Sequence, residues 1–152
     1  MQIRSLNAIY IQATSVSSLK DIADFLIYCQ CWYETLEHHH RVEEEFFFPE
    51  LEKRLGKPGL MDQNVEQHRA FHAKLDIWGK KCYAMKPEDY NGVEWRSMID
   101  DFSAPLLKHL HDEIETMEEL AEYDPDGAVM LELWKELDEK TVAEANKVSA
   151  MV

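Results

Sequence analysis

Three separated stretches of the chain each place a histidine four residues before a second side chain that can bind a metal. The pairs are His39 with Glu43, His68 with His72, and His109 with Glu113. Four residues of an α-helix turn through about 400°, so the two members of each pair lie one turn apart on the same face. The repetition therefore predicts three helices that carry potential ligands toward a common point.

Composition favours helices over sheets. The 152 residues include only five glycines and five prolines, the residues that interrupt helices most strongly. The length is typical of a single domain with a substantial core, and we predict one domain over residues 1–152.

The charge balance disfavours some classes of partner. Thirty acidic residues against 16 basic ones give a formal net charge of −14, which argues against nucleic acids and anionic membranes as partners. No apolar run approaches the ~18 residues of a membrane span. Three cysteines, an odd number, indicate a reducing compartment rather than a disulfide framework. We interpret the cysteines as packing residues and expect the protein in the cytoplasm.

Five helices are predicted from the hydrophobic periodicity and from the breaks between periodic segments. They cover about residues 2–13, Leu19 to Leu55, Met61 to Ala84, Val93 to Glu122, and 127–147. Pro49 and Pro105 each remove a backbone hydrogen bond within a predicted helix, so we expect kinks or interruptions beside the site.

The three pairs continue the apolar stripes of their helices. In the second helix the stripe runs through Trp32, Leu36, His39, Glu43 and Phe47, in steps that are typical of a buried helix face. All three pairs are therefore predicted to point inward. A single buried histidine is usually a core residue satisfied by hydrogen bonds. Six buried polar groups without partners would cost several kcal/mol each, and a metal ion accounts for all of them.

The ligand types narrow the choice of metal. Four imidazoles and two carboxylates are too many for one zinc ion, and the histidines argue against all-oxygen calcium or magnesium sites. Mixed histidine and carboxylate sets suit iron or manganese, and each glutamate could bridge two ions. We expect a di-iron or iron–manganese centre, with manganese or zinc as alternatives to iron.

These motifs, in this order, resemble the hemerythrin-like, or HHE cation-binding, family over about residues 1–122. They are HHxxEE followed by FFP at residues 39–49, HxxxH at 68–72 and HLxxE at 109–113. The stretches IRSLNAIYIQA and GLMDQNVEQHRAFH are particularly similar to the fungal branch of the family. The resemblance implies an all-α fold, an up-down four-helix bundle around a non-haem di-iron site. The last predicted helix is then an additional C-terminal one.

The resemblance also implies a role for each motif residue. The terminal ligands are His39, His68, His72 and His109, and the bridging carboxylates are Glu43 and Glu113. The side chains left to face sideways or outward are His38, His40, Glu44, Glu45 and His111. Of these, His40 or Glu44 could act as an outer partner of a ligand.

One departure from the family pattern concerns the first helix. The family carries a further histidine a few residues before the positions seen here as Arg4 and Leu6, and this chain starts at Met1. Either the sequence is truncated before this residue or the protein lacks the ligand, and without it one ion is under-coordinated. We then expect an asymmetric or mononuclear site with room for water or substrate.

Three classes of function follow. A histidine-rich site with bridging carboxylates suits a non-haem iron protein that carries dioxygen or senses dioxygen or iron. The alternative is a metal-dependent enzyme that acts on a small organic molecule at an open coordination position. In the third, the metal only stabilises the bundle. Five aromatic residues could line a pocket near the site, although we favour a core role for them: Tyr28, Trp32, Phe71, Trp78 and Phe102.

The last predicted helix presents Leu131, Trp134 and Leu137 roughly one turn apart. We expect this face to pack on the chain's own bundle, with contact to a second subunit of a homo-oligomer as the alternative.

Overall fold

The computed structural model describes the backbone of residues 2–149 and the side chains of residues 2–142, and all regular structure in that part of the chain is helical. The α-helices are α1 (Gln2–Gln12), α2 (Leu19–Val42), α3 (Phe48–Leu55), α4 (Asp62–Ala84), α5 (Gly92–Glu119) and α6 (Ala128–Ser149). The predicted all-α bundle with an additional C-terminal helix is confirmed. The predicted helix bounds agree within a few residues, except that the second helix is divided.

Four of the helices form the bundle. Helix α4 packs on α2 and α5, and α1 closes the arrangement by packing on the same two helices. Its core is largely aromatic: the ring centroid of Trp78 lies 5.6 Å from that of Trp32, 5.6 Å from that of Trp95 and 5.7 Å from that of Phe102. The favoured core role is thus confirmed for Trp32, Phe71, Trp78 and Phe102, whereas Tyr28 is exposed.

A π-helical turn over Glu43–Phe47 separates α2 from α3. In this turn the Phe48 N–H donates to the Glu43 carbonyl, five residues earlier. Pro49 follows at once and has no N–H to donate, so the interruption expected beside it is confirmed. Pro105 has no comparable effect, because α5 continues through it. Phe47 and Phe48, where the π turn ends and α3 begins, are both buried.

Helix α6 packs on α3 of its own chain, as expected, but through a different face. Leu133 is fully buried in a second hydrophobic cluster, made of Phe47, Phe48, Leu51, Met61, Leu120 and Leu133. Arg54 of α3 donates to both carboxylate oxygens of Glu136 at 2.8 Å. Leu131 and Trp134 remain largely exposed.

The start of α6 is fixed by a buried acid. The carboxylate of Asp124 accepts hydrogen bonds from the N–H groups of Val129 at 3.2 Å and Met130 at 2.9 Å. These are amides of the first turn, which have no partner within the helix.

Two further expectations concern burial and membranes. Cys29 and Cys82 are buried as packing residues, whereas Cys31 is exposed, so the packing role predicted for it is wrong. Within the part of the chain that the structure describes, no helix has both the length and the apolar character needed to cross a membrane.

The junction of α1 with α5 gives a first prediction. A Cβ on Gly92 would lie 2.1 Å from the Ala13 carbonyl oxygen, which also accepts the Tyr90 hydroxyl at 2.7 Å. Because this neighbour is backbone, Gly92→Ala should lower the free energy of unfolding by about 1–3 kcal/mol. Urea denaturation measures the change. The exposed Ser97→Ala on the same helix should stay within about 0.5 kcal/mol of wild type, and an equal loss in both variants would contradict the prediction.

Candidate metal centre

Helices α2, α4 and α5 and the π turn bring four potential ligands together inside the bundle. His40, Glu43, His68 and His109 are 4%, 6%, 2% and 0% exposed, respectively. Each offers one nitrogen or oxygen atom, and these four atoms lie within 4.8 Å of one another. We call these residues the inner group. It presents three imidazoles and one carboxyl group, a donor set that suits a transition metal.

A second set of ligands adjoins the first and shares Glu43 with it. His39, Glu43 and Glu113 also offer atoms that lie within 4.8 Å of one another, and we call them the outer group. The Nε2 atom of His39 is 3.2 Å from Oε1 of Glu43, and the His39 side chain is 39% exposed. Glu43 therefore stands where a bridging carboxylate between two ions would stand.

The structure does not bring His72 to either group. Its side chain is 52% exposed, and its Nε2 lies 3.3 Å from Oε2 of Glu37. The prediction that all three pairs point inward is wrong for this residue. The buried face of α4 runs through Asn64, His68, Phe71, Leu75, Trp78 and Cys82. At 100° per residue, His72 lies roughly 80° from the centre of that face.

The expectation that His40 faces sideways or outward is also wrong. His40 is buried, and its ring centroid is 4.3 Å from that of His68 and 5.2 Å from that of Phe71. The buried apolar residues of α2 are Ile22, Phe25, Leu26, Cys29, Trp32 and Leu36. At 100° per residue their centre lies about 30° from His40 and about 70° from His39, so His39 lies at the edge of the buried face.

The inner imidazoles of His68 and His109 are oriented by residues outside the inner group. Nδ1 of His68 lies 2.6 Å from Oε1 of Glu44 and Nδ1 of His109 lies 3.3 Å from Oε1 of Gln67. The Gln67 amide is itself fixed, because its NH₂ donates to Asp112 at 2.6 Å. Since carboxylate and amide oxygens accept, both Nδ1 atoms carry hydrogen. Glu44 was expected as an outer partner, but Gln67 was missed and carries no sequence signal of its own.

This orientation places two lone pairs face to face. With hydrogen on both Nδ1 atoms, the Nε2 atoms of His68 and His109 are acceptors, yet they lie only 3.0 Å apart. Two such atoms repel unless a proton or a cation joins them. Two nitrogens bound to one ion at about 2.1 Å and at a right angle would be about 3.0 Å apart. The spacing fits a shared metal ion.

Burial sets the protonation of the site. It lowers the pKa of His40 to about 2 and that of His109 to about 3, and neighbouring His68 adds to both effects. Burial also lowers the pKa values of His39 and His68. It raises the pKa of Glu43 to about 10, with a further contribution from nearby Glu113. At neutral pH the imidazoles are therefore uncharged, with lone pairs available to a cation.

The unsatisfied atoms of the inner group test whether a metal fits. Nδ1 and Nε2 of His40 and Oε2 of Glu43 are buried and have no hydrogen-bond partner among the described residues. Each such atom costs about 1–3 kcal/mol when left unpaired. A cation that accepts nitrogen and oxygen donors would satisfy at least one atom on each residue, so the residues present fit a metal ion.

A cavity of about 870 Å³ opens beside the outer group, between α1, α2, α5 and α6. His39, Glu43 and Glu113 form part of its wall, and much of the rest is apolar, including Phe47, Leu110, Ile114, Met117, Trp134 and Leu137. It does not use the five aromatic residues considered from the sequence. Trp134 and Leu137 belong to the stripe expected to cover the bundle, and they line this cavity instead.

Comparison with known proteins agrees with cation binding. The family model described as hemerythrin HHE cation binding domain matches residues 2–121. A protein from Cryptosporiopsis sp. (strain 8999), named "Dimeric xanthone biosynthesis cluster protein R11", is 42% identical over 121 residues. These residues are 80% of this chain and 46% of that protein. The chain thus spans less than half the length of this curated relative. No solved structure matches the chain significantly.

The unpaired atoms of His40 lead to a second prediction. In metal-free protein, His40→Leu should raise the free energy of unfolding by about 1–3 kcal/mol at pH 7.5, because it removes buried unsatisfied atoms. The gain should grow by about 1 kcal/mol at pH 5.5. His40 has a pKa of 6.5 when unperturbed and about 2 when folded, so the unfolded chain takes up the proton first and wild type loses stability as the pH falls.

Urea denaturation with a chelator present, at both pH values, measures this gain. His111→Leu, which changes an exposed histidine on α5, should stay within about 0.5 kcal/mol of wild type. A loss of stability in His40→Leu would show that His40 has a partner in the metal-free protein.

Proposed function

The chain belongs to the hemerythrin HHE cation-binding domain family, and we propose that it is a non-haem iron protein that binds dioxygen. The inner group would hold one iron ion and the outer group a second, with Glu43 shared between them. Five of the six ligands expected from the sequence enter this proposal, and His40 replaces His72. We also propose that α6 belongs to the same domain, because it packs on α3.

The facing Nε2 atoms of His68 and His109 support this proposal most strongly. They lie 3.0 Å apart, and each ring donates its Nδ1–H to an oxygen acceptor outside the inner group. A histidine that donates from one ring nitrogen while the other binds the metal is the usual arrangement in metal sites. Simple core packing would not place two acceptor nitrogens against each other in a buried site.

The two groups are unequal, which bears on how many ions bind. The inner group has four donors and is buried, whereas the outer group adds only His39 and Glu113 to the shared Glu43. We infer that the inner ion binds more tightly and that the outer position keeps room for another molecule. Iron, when bound, supplies one-electron redox chemistry and an affinity for dioxygen. The chain contributes neutral imidazoles and, in Glu43, a buried carboxyl group that must release its proton before it can bind the cation.

A second function, a metal-dependent enzyme acting on a small organic molecule, is supported by the cavity beside the outer group. Its volume of about 870 Å³ falls within the range of roughly 300–1,000 Å³ found for ligand pockets. The relative from Cryptosporiopsis is named as a xanthone biosynthesis cluster protein, which is compatible with an aromatic substrate. In this proposal the substrate would occupy the cavity, next to His39, Glu43 and Glu113.

Metal content tests the ligand set. Protein loaded with ferrous iron under anaerobic conditions and then dialysed should retain iron, as measured by inductively coupled plasma mass spectrometry. His68→Gln and His109→Gln should lower the affinity by about 100-fold or more, and Glu44→Gln by about tenfold, because it only orients His68. His111→Gln is the matched control on α5 and should retain iron like wild type.

The variants His40→Gln and His72→Gln distinguish two ligand sets. The set proposed from the structure includes His40, and the set implied by the family motif includes His72. Loss of iron in His40→Gln with retention in His72→Gln supports the inner group as described. The reverse result would assign the ligand role to His72, as the family motif implies. Iron retained in all of the histidine variants would contradict a metal centre at this position.

Dioxygen uptake separates the two proposed functions. With reduced, iron-loaded protein in an oxygen electrode, a carrier should take up no more than about one dioxygen per site and should return it when dioxygen is removed. An enzyme should instead consume many equivalents, and only when an aromatic substrate is added. Uptake that His68→Gln does not reduce would come from free iron and would count against both functions.

A further inference from the structure

We propose that the cavity between α1, α2, α5 and α6 binds an aromatic acid, with Arg4 pairing with its anionic group and Trp134 packing against its ring. This inference rests on the second function proposed above and adds the chemical class of the ligand. It draws on three observations: the exposed apolar wall, the position of Trp134, and the charge of Arg4, which has no ion-pair partner among the described residues.

The apolar wall of the cavity is uncovered. Ile114 is 59% exposed and Trp134 is 55% exposed, although both are large apolar side chains that line the same space. Covering such surface removes apolar area from water, which stabilises the bound state. The wall therefore favours a largely apolar occupant over water.

Trp134 is held in place for an aromatic ligand. Its ring centroid lies 5.5 Å from that of the buried Phe47, at an interplanar angle of 45°. Phe47 supports one part of the indole, and the exposed part is available to the cavity. The other three tryptophans, Trp32, Trp78 and Trp95, are buried in the bundle core. An aromatic ring gains more from such a surface than an aliphatic chain does, because paired rings attract each other beyond the effect of burying area.

Arg4 provides the charge that selects an acid. The chain has five arginines, and four have partners in the structure. Arg41 contacts His38, Arg54 pairs with Glu136, Arg69 pairs with Glu66, and Arg96 lies over the ring of Tyr10. Arg4 has no side-chain hydrogen bond or ion pair among the described residues, and it is the one arginine or lysine in the cavity wall.

The arrangement of charge therefore favours an anion at Arg4. A guanidinium group matches a carboxylate or sulfonate through two parallel hydrogen bonds. Glu43 and Glu113 belong to the same wall and offer no attraction to an anion, so the acidic end of the ligand is placed at Arg4. The remainder of the ligand then has the apolar wall and the outer group as neighbours.

A pair of fluorescent probes tests the proposal. 8-Anilinonaphthalene-1-sulfonate carries the anionic group, and N-phenyl-1-naphthylamine is its neutral counterpart. Both are titrated against the 152-residue chain in the presence of a chelator. Arg4→Gln should weaken sulfonate binding about fivefold, the upper range for an exposed ion pair, and should leave the neutral probe within twofold. Trp134→Ala should weaken both probes about three- to tenfold.

Arg69→Gln is the matched control, because it also removes one positive charge from an exposed arginine on a helix. It should change neither probe. Circular dichroism and thermal unfolding confirm that each variant is folded. Equal sulfonate binding by wild type and Arg4→Gln, an equal effect of Arg69→Gln, or no binding of either probe would overturn the proposal.

Displacement of the sulfonate probe separates aromatic from aliphatic acids. 3-Hydroxy-2-naphthoate should displace it more effectively than dodecanoate, and the opposite order would overturn the aromatic assignment. The iron content of the same preparations is measured separately. Probe binding without iron retention would leave the cavity proposal standing and reject the metal centre. Iron retention without probe binding would do the reverse.

Discussion

The structure is organised around the burial of uncharged histidine nitrogens at one end of a helical bundle. The Nε2 atoms of His68 and His109 face each other at 3.0 Å, and both nitrogens of His40 lack a hydrogen-bond partner in the part of the chain that the structure describes. Buried polar atoms of this kind weaken a fold unless something joins them. Glu44 and Gln67 nevertheless hold the rings of His68 and His109, respectively, in one orientation. This arrangement lowers the stability of the metal-free protein, and it orients the rings for binding a cation.

Much of the fold and part of this site could be predicted from the sequence. Steps of three and four residues between apolar positions gave the helices, and the ordered motifs gave the family and the bundle. The same periodicity placed Glu43, His68 and His109 on buried faces, where the structure has them. These predictions succeeded because helix geometry alone relates the spacing of residues to the face that they occupy.

The features of the site that could not be predicted depend on the rotation between neighbouring residues of a helix and on contacts between segments that are distant in sequence. His39 and His40 differ by 100° on one helix, and the centre of the buried face of α2 lies closer to His40 than to His39. His72 lies one turn from a buried ligand but outside the buried face of α4. The cavity combines α1 with α6, which are far apart in sequence. No local pattern reports that Arg4 and Trp134 line one space.

The π turn at Glu43–Phe47 has a consequence for how sequence changes would propagate. It contains one residue more than an α-helical turn, and one residue corresponds to a rotation of about 100°. Glu43 lies at its start and the phenyl rings of the second cluster at its end. The ligands of α2 and the packing of α3 therefore keep separate helical registers. Deleting a single residue within the turn would merge those registers and rotate either the shared carboxyl group or the phenyl rings out of place.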